Sequence, residues 1–203
     1  MAANETCLCG FIPTLPFARA SLLRHLGSGI VLLTLLATGG FAQTKITLEI
    51  PLVKPGKGPP TMPKRYTAEG KAVSPPLVWS YLPKESRELA LVFEDLEGAR
   101  VHWLVYSIPA KVPSLPEGLP NDEVLSEPSR LVGTIQGITD FKQSGVGYIA
   151  PSTKADKPQR YQFTLFALDA KLGLQPGLDK ASLMFLIQGH IIGKGELILT
   201  CGK

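Results

Sequence analysis

Short apolar runs alternate with polar segments rich in proline and glycine along most of the chain. The clearest of these runs, rich in β-branched and aromatic residues, are LALVF at 89–93, VHWLVYSI at 101–108 and YQFTLFALD at 161–169. Runs of this length and composition are typical of strands that line a core. Three further strands are predicted by KITLEI at 45–50, LVW at 77–79 and GELILT at 195–200. The pattern therefore predicts strands and irregular loops with little helix.

Two of these runs are joined by an acidic turn. The residues between them include Asp95, Glu97 and Gly98, and the second run opens with His102 and Trp103. Two apolar runs separated by a few polar, glycine-containing residues predict neighbouring strands joined by a turn. Because the turn carries two carboxylates and delivers a histidine onto the next strand, it is suited to form the rim of a small polar or anionic pocket.

One helix is predicted near the end of the chain, over 179–188. Asp179 lies near its start and Gly189 just after its end, which are the residue types that favour those positions. The proline-rich segments 53–65 and 110–128 predict surface loops, because proline cannot donate to a strand ladder. Within the apolar stretch that begins at Leu131, Gly133 and Gly137 indicate positions where backbone geometry matters more than side-chain volume.

The segment 144–159 combines glycine, proline and small hydroxyl residues. Such a segment can direct several backbone N–H groups at one anion without a helix terminus. Its composition fits an ordinary surface loop equally well, so both interpretations stay open.

Composition and charge argue against one class of partner, nucleic acids, and support the predicted fold class. The chain has 203 residues, is 44% hydrophobic and 19% charged, and carries a net charge of +4. The lysines and arginines are scattered, with no basic stripe interleaved with aromatic residues, so a nucleic-acid partner is not predicted. The 18 prolines and 20 glycines favour a fold of strands and loops.

Residues 1–42 have the basic, apolar, small-residue order of a secretory signal peptide. Their apolar run is short of the roughly 20 residues that span a bilayer, and we expect cleavage after Ala42. An uncleaved membrane anchor is the alternative, and it would be the protein's only membrane contact. The predicted domain is 43–203, with a periplasmic or secreted location. It retains Cys201 alone, so no intramolecular disulfide is expected, and Cys7 and Cys9 lack partners for a metal site.

Six ordered blocks carry a resemblance to a known family. They are SPPLVW, the acidic turn followed by HW and SIPA, GTIQGITDF, GY-x-x-P, K-P-x-R-Y leading into YQFTLFALD, and QGHIIGKGEL. In this order they resemble the phosphatidylethanolamine-binding protein family, in its bacterial and archaeal branch described as Raf kinase inhibitor-like. The resemblance implies a mainly β fold, a large sheet plus a small sheet with one or two short helices, and no cofactor. It also implies a pocket at one edge for an anion, either phosphate-like or a phospholipid head group.

The resemblance implies ligand-binding roles for seven residues: Asp95, Glu97, His102, Tyr148, Pro151, Gln159 and Tyr161. The chain departs from the family pattern at three places. The acidic turn loses both prolines of D-P-D-A-P, the glycine-proline segment is reduced to 149–153, and Gln159 stands where the family has a second histidine. Losing a charged donor costs about 1.5–3 kcal/mol, so anion binding about tenfold to hundredfold weaker is expected.

Each candidate residue also has a purely structural interpretation. Asp95 can accept hydrogen bonds from the turn's own N–H groups, and His102 can be a satisfied core histidine. Trp79 is expected in the core, with a ligand-stacking role as the alternative. Arg160 is expected to pair with a carboxylate, Asp140 or Asp95. His190 is expected to make local hydrogen bonds at the end of the helix.

Three function classes follow from the sequence. The leading one is an exported, non-enzymatic binding protein for a small anionic or phosphorylated ligand. The alternative is an interaction protein that inhibits a kinase-like or protease partner. A hydrolase using Asp95 and His102 is the weakest, because no nucleophile elbow is visible and histidines are too few for a metal site. No catalytic residue, metal ligand or cofactor is therefore predicted.

Overall fold

The computed structural model describes residues 43–51, 53–54, 56–141, 145–155 and 157–202. The predicted signal peptide, residues 1–42, lies outside the described residues, together with Cys7 and Cys9. Within the described ranges, no helix is both long enough and apolar enough to cross a bilayer.

Strands form most of the regular structure. In chain order they are β1 (Thr44–Lys45), β2 (Thr47–Glu49), β3 (Leu77–Ser80), β4 (Glu88–Asp95), β5 (Val101–Pro109), β6 (Ser114–Leu115), β7 (Ile135–Gln136), β8 (Gln159–Leu168) and β9 (Ile191–Cys201). The helical elements are α1 (Lys180–Ile187) and 3-10 helices at Lys64–Tyr66, Ser129–Leu131 and Gln188–His190.

The strands form two sheets. The large sheet has the order β1-β9-β8-β4-β5-β7, and the small sheet has the order β2-β3-β6. Strand β1 runs parallel to β9, whereas β4 pairs antiparallel with both β5 and β8. A mainly β fold with a large sheet, a small sheet and a short helix was expected from the resemblance, and it is confirmed.

The central strand β4 is buried on both faces, and its alternation divides the core in two. Leu91 and Phe93 pack in the cluster that includes the small sheet, while Ala90 and Val92 pack in a second cluster with Leu183 of α1. The sequence of a strand that is buried on both faces is a continuous run of apolar residues. Full burial of each large apolar side chain contributes about 1.5–3 kcal/mol. Burial on both faces holds the end of β4, where the acidic turn begins, in a fixed position.

The stretch KITLEI forms two short strands, so the expectation of one continuous strand is wrong. Thr44 and Lys45 pair with β9 in the large sheet, and 47–49 pair with β3 in the small sheet. Buried Ile46 lies between them, and its N–H donates to the Lys194 carbonyl at 2.9 Å. The expected loop 110–128 likewise contains β6, which is paired with β3. Both differences arise from tertiary pairing, which local composition does not encode.

The predicted helix is present as α1. The Asp179 side chain caps it by accepting a hydrogen bond from the Ser182 N–H at 2.8 Å. At its other end the chain continues into the 3-10 helix Gln188–His190, so Gly189 is inside a further turn instead of directly after the helix. His190 was expected to make local hydrogen bonds at the helix end, but its Nδ1 instead lies 2.9 Å from Asp169, 21 positions earlier in the chain.

Two glycines in the stretch after Leu131 are required by backbone geometry, as expected. Gly133 has a φ of +84°, a value that glycine adopts without steric cost. A Cβ on Gly137 would lie 2.5 Å from the Leu178 carbonyl oxygen, so the backbone passes too close for any side chain. Trp79 is 5% exposed and packs in the core, as predicted.

Candidate functional site

Strand pairing brings three of the predicted site residues to one edge of the large sheet. Asp95, the last residue of β4, is paired with Tyr161 in β8. His102 is the second residue of β5 and lies within an irregularity of the β4–β5 pairing, because Phe93 pairs with Trp103 and Glu94 pairs with Val101. The His102 and Tyr161 rings lie 5.2 Å apart between centroids and almost perpendicular, at 87°.

Asp95 closes the acidic turn. Its Oδ1 accepts hydrogen bonds from the Glu97 N–H at 2.9 Å and the Gly98 N–H at 3.1 Å. A Cβ on Gly98 would lie 2.6 Å from Asp95 Oδ2, so a side chain at this position would require the carboxylate to shift. The structural interpretation of Asp95 is therefore correct for Oδ1. In the described part of the chain, Oδ2 has no hydrogen-bond partner, and the residue is 8% exposed.

Glu97 forms an exposed ion pair with Arg160. Its Oε1 accepts from Arg160 Nε at 2.8 Å, and its Oε2 accepts from the Arg160 backbone N–H at 2.7 Å. These hydrogen bonds lower the pKa of the Glu97 carboxyl. Arg160 does pair with a carboxylate, but the expected partners Asp140 and Asp95 are wrong. Asp140 instead accepts from the Val101 N–H at 2.7 Å.

His102 is buried and oriented by one backbone carbonyl. Its Nδ1 lies 2.8 Å from the Ile149 carbonyl oxygen, and the Ile149 N–H donates to the His102 carbonyl at 2.9 Å. Because a carbonyl only accepts, Nδ1 carries the proton and Nε2 presents a lone pair in the neutral ring. Burial lowers the pKa of His102, opposed by the Ile149 carbonyl and by the charge of Asp95. The ring is therefore neutral at neutral pH.

Aromatic rings surround the imidazole. Phe141 lies 4.6 Å from it and Phe93 5.7 Å, both in edge-on contact. The Arg100 guanidinium lies over the Phe141 ring, 5.6 Å from its centroid. These apolar walls account for the burial that keeps His102 uncharged. Sequence reasoning missed Phe141 as a wall of the site, although it ends the motif GTIQGITDF.

Tyr161 and Gln159 form a hydrogen-bonded pair beside His102. The Tyr161 hydroxyl donates to Gln159 Oε1 at 3.2 Å. Burial, and then the charge of Asp95, raises the pKa of Tyr161 to about 12, so the hydroxyl keeps its proton. The amide at the position of the family's second histidine therefore engages the tyrosine.

Tyr148 and Pro151 anchor the neighbouring segment. The Tyr148 hydroxyl donates to the Tyr66 carbonyl at 2.7 Å, and its ring stacks on Phe93 at 5.6 Å. The Pro151 carbonyl accepts from the Ala68 N–H at 2.9 Å. The ligand-binding roles predicted for all seven residues stay predictions, but the geometry brings only Asp95, His102, Gln159 and Tyr161 together as polar groups.

Three backbone N–H groups of the segment after Tyr148 donate to other groups of the protein. That of Ile149 donates to His102, that of Thr153 to Glu69 at 2.8 Å, and that of Lys154 to Ser152 Oγ at 3.2 Å. The composition of this segment allowed for its backbone N–H groups to converge on an anion. For the N–H groups of Ile149, Thr153 and Lys154 this interpretation is wrong.

Glu69 is a further residue at the site that sequence reasoning missed. Its carboxylate binds Ser152 and Thr153, which are more than eighty positions away along the chain. These hydrogen bonds lower the pKa of Glu69 to about 2. No sequence signal pairs residues at such a distance without a comparison of homologues.

The polar atoms of the site are hydrogen-bonding groups. Across the described residues, no cluster of three or more histidine, cysteine or acidic side chains is arranged to hold a metal ion. The site presents a lone pair on His102 Nε2, a carboxylate oxygen on Asp95 and the hydroxyl of Tyr161. Because the Tyr161 hydroxyl already donates to Gln159 Oε1, the atoms left at the site accept hydrogen bonds, and a group that donates them complements this set.

The fold and the site define a two-sheet β protein with a buried histidine and an acidic turn at one sheet edge. A model of the family described as phosphatidylethanolamine-binding protein matches residues 54–202. The chain therefore belongs to the phosphatidylethanolamine-binding protein family, and the family recognised from the six sequence blocks is confirmed.

Relatives from archaea and bacteria resemble the chain over most of its length. The UPF0098 protein of Methanothermobacter thermautotrophicus is 34% identical over 140 residues, covering 68% of this chain and 87% of the relative. The UPF0098 protein PH1269 of Pyrococcus horikoshii is 32% identical over 177 residues, covering 83% of this chain and 85% of the relative.

Two solved structures share the fold. The putative phosphatidylethanolamine-binding protein homolog CT736 from Chlamydia trachomatis is 30% identical, with a TM-score of 0.65 over 79% of this chain and 99% of its own. YbcL of E. coli, a new member of the mammalian phosphatidylethanolamine-binding protein family, is 26% identical, with a TM-score of 0.63 over 78% of this chain and 98% of its own.

Proposed function

We propose that this protein is an exported, non-enzymatic binding protein whose pocket at Asp95, His102 and Tyr161 takes a small anionic, phosphate-type group. One observation carries the proposal. Three buried polar residues lie together at a sheet edge, and each keeps a hydrogen-bonding atom that its contacts with the described residues leave available. Unused polar groups of this kind are retained at a cost in stability, so they favour a ligand role.

The charge of the site indicates which form of the ligand binds. His102 is neutral because its burial lowers its pKa, and Asp95 contributes a carboxylate beside it. A fully ionised phosphate meets this carboxylate at close range, which is unfavourable in a low-dielectric site. A singly protonated phosphate group instead donates its P–OH to Asp95 or to His102 Nε2. Binding of the anion is therefore coupled to a proton, carried by the ligand or taken up by His102.

The affinity expected of this pocket is low. Gln159 offers a neutral amide where the family has a second histidine, and it is already paired with Tyr161. Loss of a charged donor weakens binding by about 1.5–3 kcal/mol. We therefore expect dissociation constants of about 1 mM or weaker, equivalent to about 4 kcal/mol of binding free energy.

Binding without turnover is proposed because the described residues of the site include no activated nucleophile. The Tyr161 hydroxyl keeps its proton, and His102 Nδ1 is bound to a backbone carbonyl and not to a serine or cysteine of the described chain. Export is proposed from the basic, apolar and small residues within 19–42.

A second candidate is an interaction protein that inhibits a kinase-like or protease partner. Phe185 is 73% exposed and Leu186 is 44% exposed on α1, and such apolar residues favour protein contact when they act together. This candidate becomes the leading one if the pocket binds no small anion.

Calorimetric titration of the purified protein with inorganic phosphate, phosphorylethanolamine and sulfate tests the proposal. Sulfate is matched to phosphate in size and shape but carries no proton near neutral pH. At about pH 6, where phosphate monoesters are half protonated, we expect phosphate and phosphorylethanolamine to bind more tightly than sulfate. Tyr161→Phe is the site control, and it should weaken phosphate binding. Absence of binding by both phosphate compounds would contradict the proposal and favour the interaction candidate.

A further inference from the structure

The Glu69 carboxylate fastens the segment 149–153 to the turn that follows Tyr66. Its Oε1 accepts from Ser152 Oγ at 2.7 Å, and its Oε2 accepts from the Thr153 N–H at 2.8 Å and from Thr153 Oγ1 at 2.9 Å. These hydrogen bonds lower the pKa of Glu69 to about 2, so the carboxylate is ionised at any physiological pH. Over the described ranges no lysine or arginine forms a salt bridge with it.

Two more hydrogen bonds join the same pieces of chain. The Ala68 N–H donates to the Pro151 carbonyl at 2.9 Å, and the Tyr148 hydroxyl donates to the Tyr66 carbonyl at 2.7 Å. The turn itself is tightly closed, because a Cβ on Gly70 would lie 1.8 Å from the Lys64 carbonyl oxygen. The segment is thus tied on both sides of Ile149 to a rigid turn.

Ile149 is the residue that orients His102. Its carbonyl accepts from Nδ1 at 2.8 Å, and this contact decides which ring nitrogen carries the proton. The position of that carbonyl depends on the segment, and the segment depends on its ties to the turn. The charge of Glu69 also reaches the site directly, since it contributes to the raised pKa of Tyr161.

We propose that Glu69 is a positioning residue for the His102 pocket. By holding the segment 149–153, it keeps the Ile149 carbonyl on Nδ1–H and so leaves the Nε2 lone pair for a ligand. In this state the pocket selects anions that bring a proton, such as a singly protonated phosphate group, over anions that only accept hydrogen bonds. This selectivity rests on the proposed function, whereas the state of the imidazole in the free protein does not.

The test is the tautomer of His102 in the ligand-free protein, read from the nitrogen chemical shifts of the imidazole. We expect wild type to show one tautomer, with the proton on Nδ1. Glu69→Ala should show a mixture of tautomers, because the segment loses all three hydrogen bonds that the Glu69 carboxylate accepts. Glu117→Gln is the matched control. Glu117 binds the neighbouring Arg65 and Tyr66, and among the described residues it makes no hydrogen bond to the segment, so its variant should keep the wild-type tautomer.

A second variant provides an independent test in case Glu69→Ala does not fold. Replacing Ser152 by alanine together with Thr153 by valine removes two donors to Glu69 and leaves the carboxylate in place. It should shift the tautomer in the same direction. A purely stabilising role for Glu69 would lower the melting temperature while the tautomer stays unchanged. That result, in folded Glu69→Ala or in the double variant, overturns the proposal.

Measurements of phosphate and sulfate binding distinguish a failure of this proposal from a failure of the proposed function. If wild type binds phosphate, Glu69→Ala should lose at least about threefold of its preference for phosphate over sulfate, and an unchanged preference contradicts the selectivity. If wild type binds neither anion, the proposed function fails, and the tautomer comparison still decides the role of Glu69.

Discussion

His102 and Ile149 are joined by two hydrogen bonds. The imidazole Nδ1 donates to the Ile149 carbonyl at 2.8 Å, and the Ile149 N–H donates to the His102 carbonyl at 2.9 Å. The pair reconciles the two interpretations of the histidine. Nδ1 is satisfied as in a core histidine, while Nε2 stays available as in a pocket histidine. The chemistry of the site therefore depends on a segment that is distant in the sequence.

Phosphate affinity should rise as the pH falls. Burial lowers the pKa of free His102, and a bound anion raises it, so binding takes up a proton over the range between the two values. Calorimetric titrations from about pH 8 to about pH 5.5 should show tighter binding at each lower pH. Affinity that is independent of pH, or that increases with pH, would contradict this coupling.

Stability should fall on the acid side because of His102. Its folded-state pKa lies below the usual value of about 6.5, so in the range between the two values the unfolded chain binds a proton that the folded chain does not. The stability that neutral His102 contributes is fully present above about pH 6.5 and is lost as the pH falls toward the folded-state pKa. Urea unfolding of His102→Gln should give a shallower acid slope than wild type. His190→Gln is the control, and equal slopes for wild type and His102→Gln would refute the prediction.

Gly98→Ala should destabilise the protein by disrupting the acidic turn. The new methyl group would lie 2.6 Å from Asp95 Oδ2, so we expect the carboxylate to shift and to weaken the hydrogen bonds that Oδ1 accepts from the Glu97 and Gly98 N–H groups. Loss of hydrogen bonds to a buried carboxylate costs about 1–3 kcal/mol. Gly58→Ala is the control, because a Cβ there meets no atom within 4 Å. The prediction fails if the two variants unfold at the same denaturant concentration.

Gln159→His should strengthen phosphate binding. The substitution places a second titratable donor beside Tyr161, where the family has a histidine. A hydrogen bond to a charged group contributes about 1.5–3 kcal/mol, equivalent to roughly tenfold or more in affinity. Gln162→His, on the opposite face of β8, is the matched control and should leave affinity unchanged. An equal gain from both variants would indicate a general charge effect and not a site effect.

Glu97→Gln should have a small effect on stability. The ion pair with Arg160 is exposed, with side chains 57% and 38% accessible, and such pairs contribute about 0–1 kcal/mol. Because both Glu97 oxygens are bound to Arg160, we also expect phosphate affinity to stay within about twofold of wild type. Glu196→Gln, which breaks the exposed pair with Lys194, is the stability control. A larger loss of phosphate binding for Glu97→Gln would assign Glu97 to the ligand after all.

Local sequence signals predicted the elements that carry their own pattern. The strands β4, β5 and β8 are long apolar runs, and α1 begins at a capping aspartate, so each could be located without a structure. The acidic turn itself indicated Asp95, Glu97 and His102 as pocket residues, and the other pocket residues came from the family resemblance. In contrast, the division of 45–50 between two sheets and the pairing of β6 are set by distant strands. A pattern of period two cannot specify a partner.

The hydrogen bonds between loops around the site could not be predicted from the sequence for the same reason. Arg160 could be assigned to a carboxylate, but Asp95, Glu97 and Asp140 are all acidic residues in nearby turns, and only the fold selects Glu97. Likewise, nothing near Glu69 in the sequence indicates Ser152 and Thr153 as its partners. Contacts between loops depend on how the sheets bring those loops together.

The most direct test of the central claim follows the His102 imidazole by NMR while inorganic phosphate is added, with His102→Ala to assign the signal. The account predicts saturable shifts at His102, with half-saturation near about 1 mM or above and a pKa raised by the bound anion. It also predicts that Tyr161→Phe weakens the response. The absence of any change at His102 up to tens of millimolar phosphate, well beyond the roughly 4 kcal/mol of a millimolar complex, would contradict the phosphate-binding pocket.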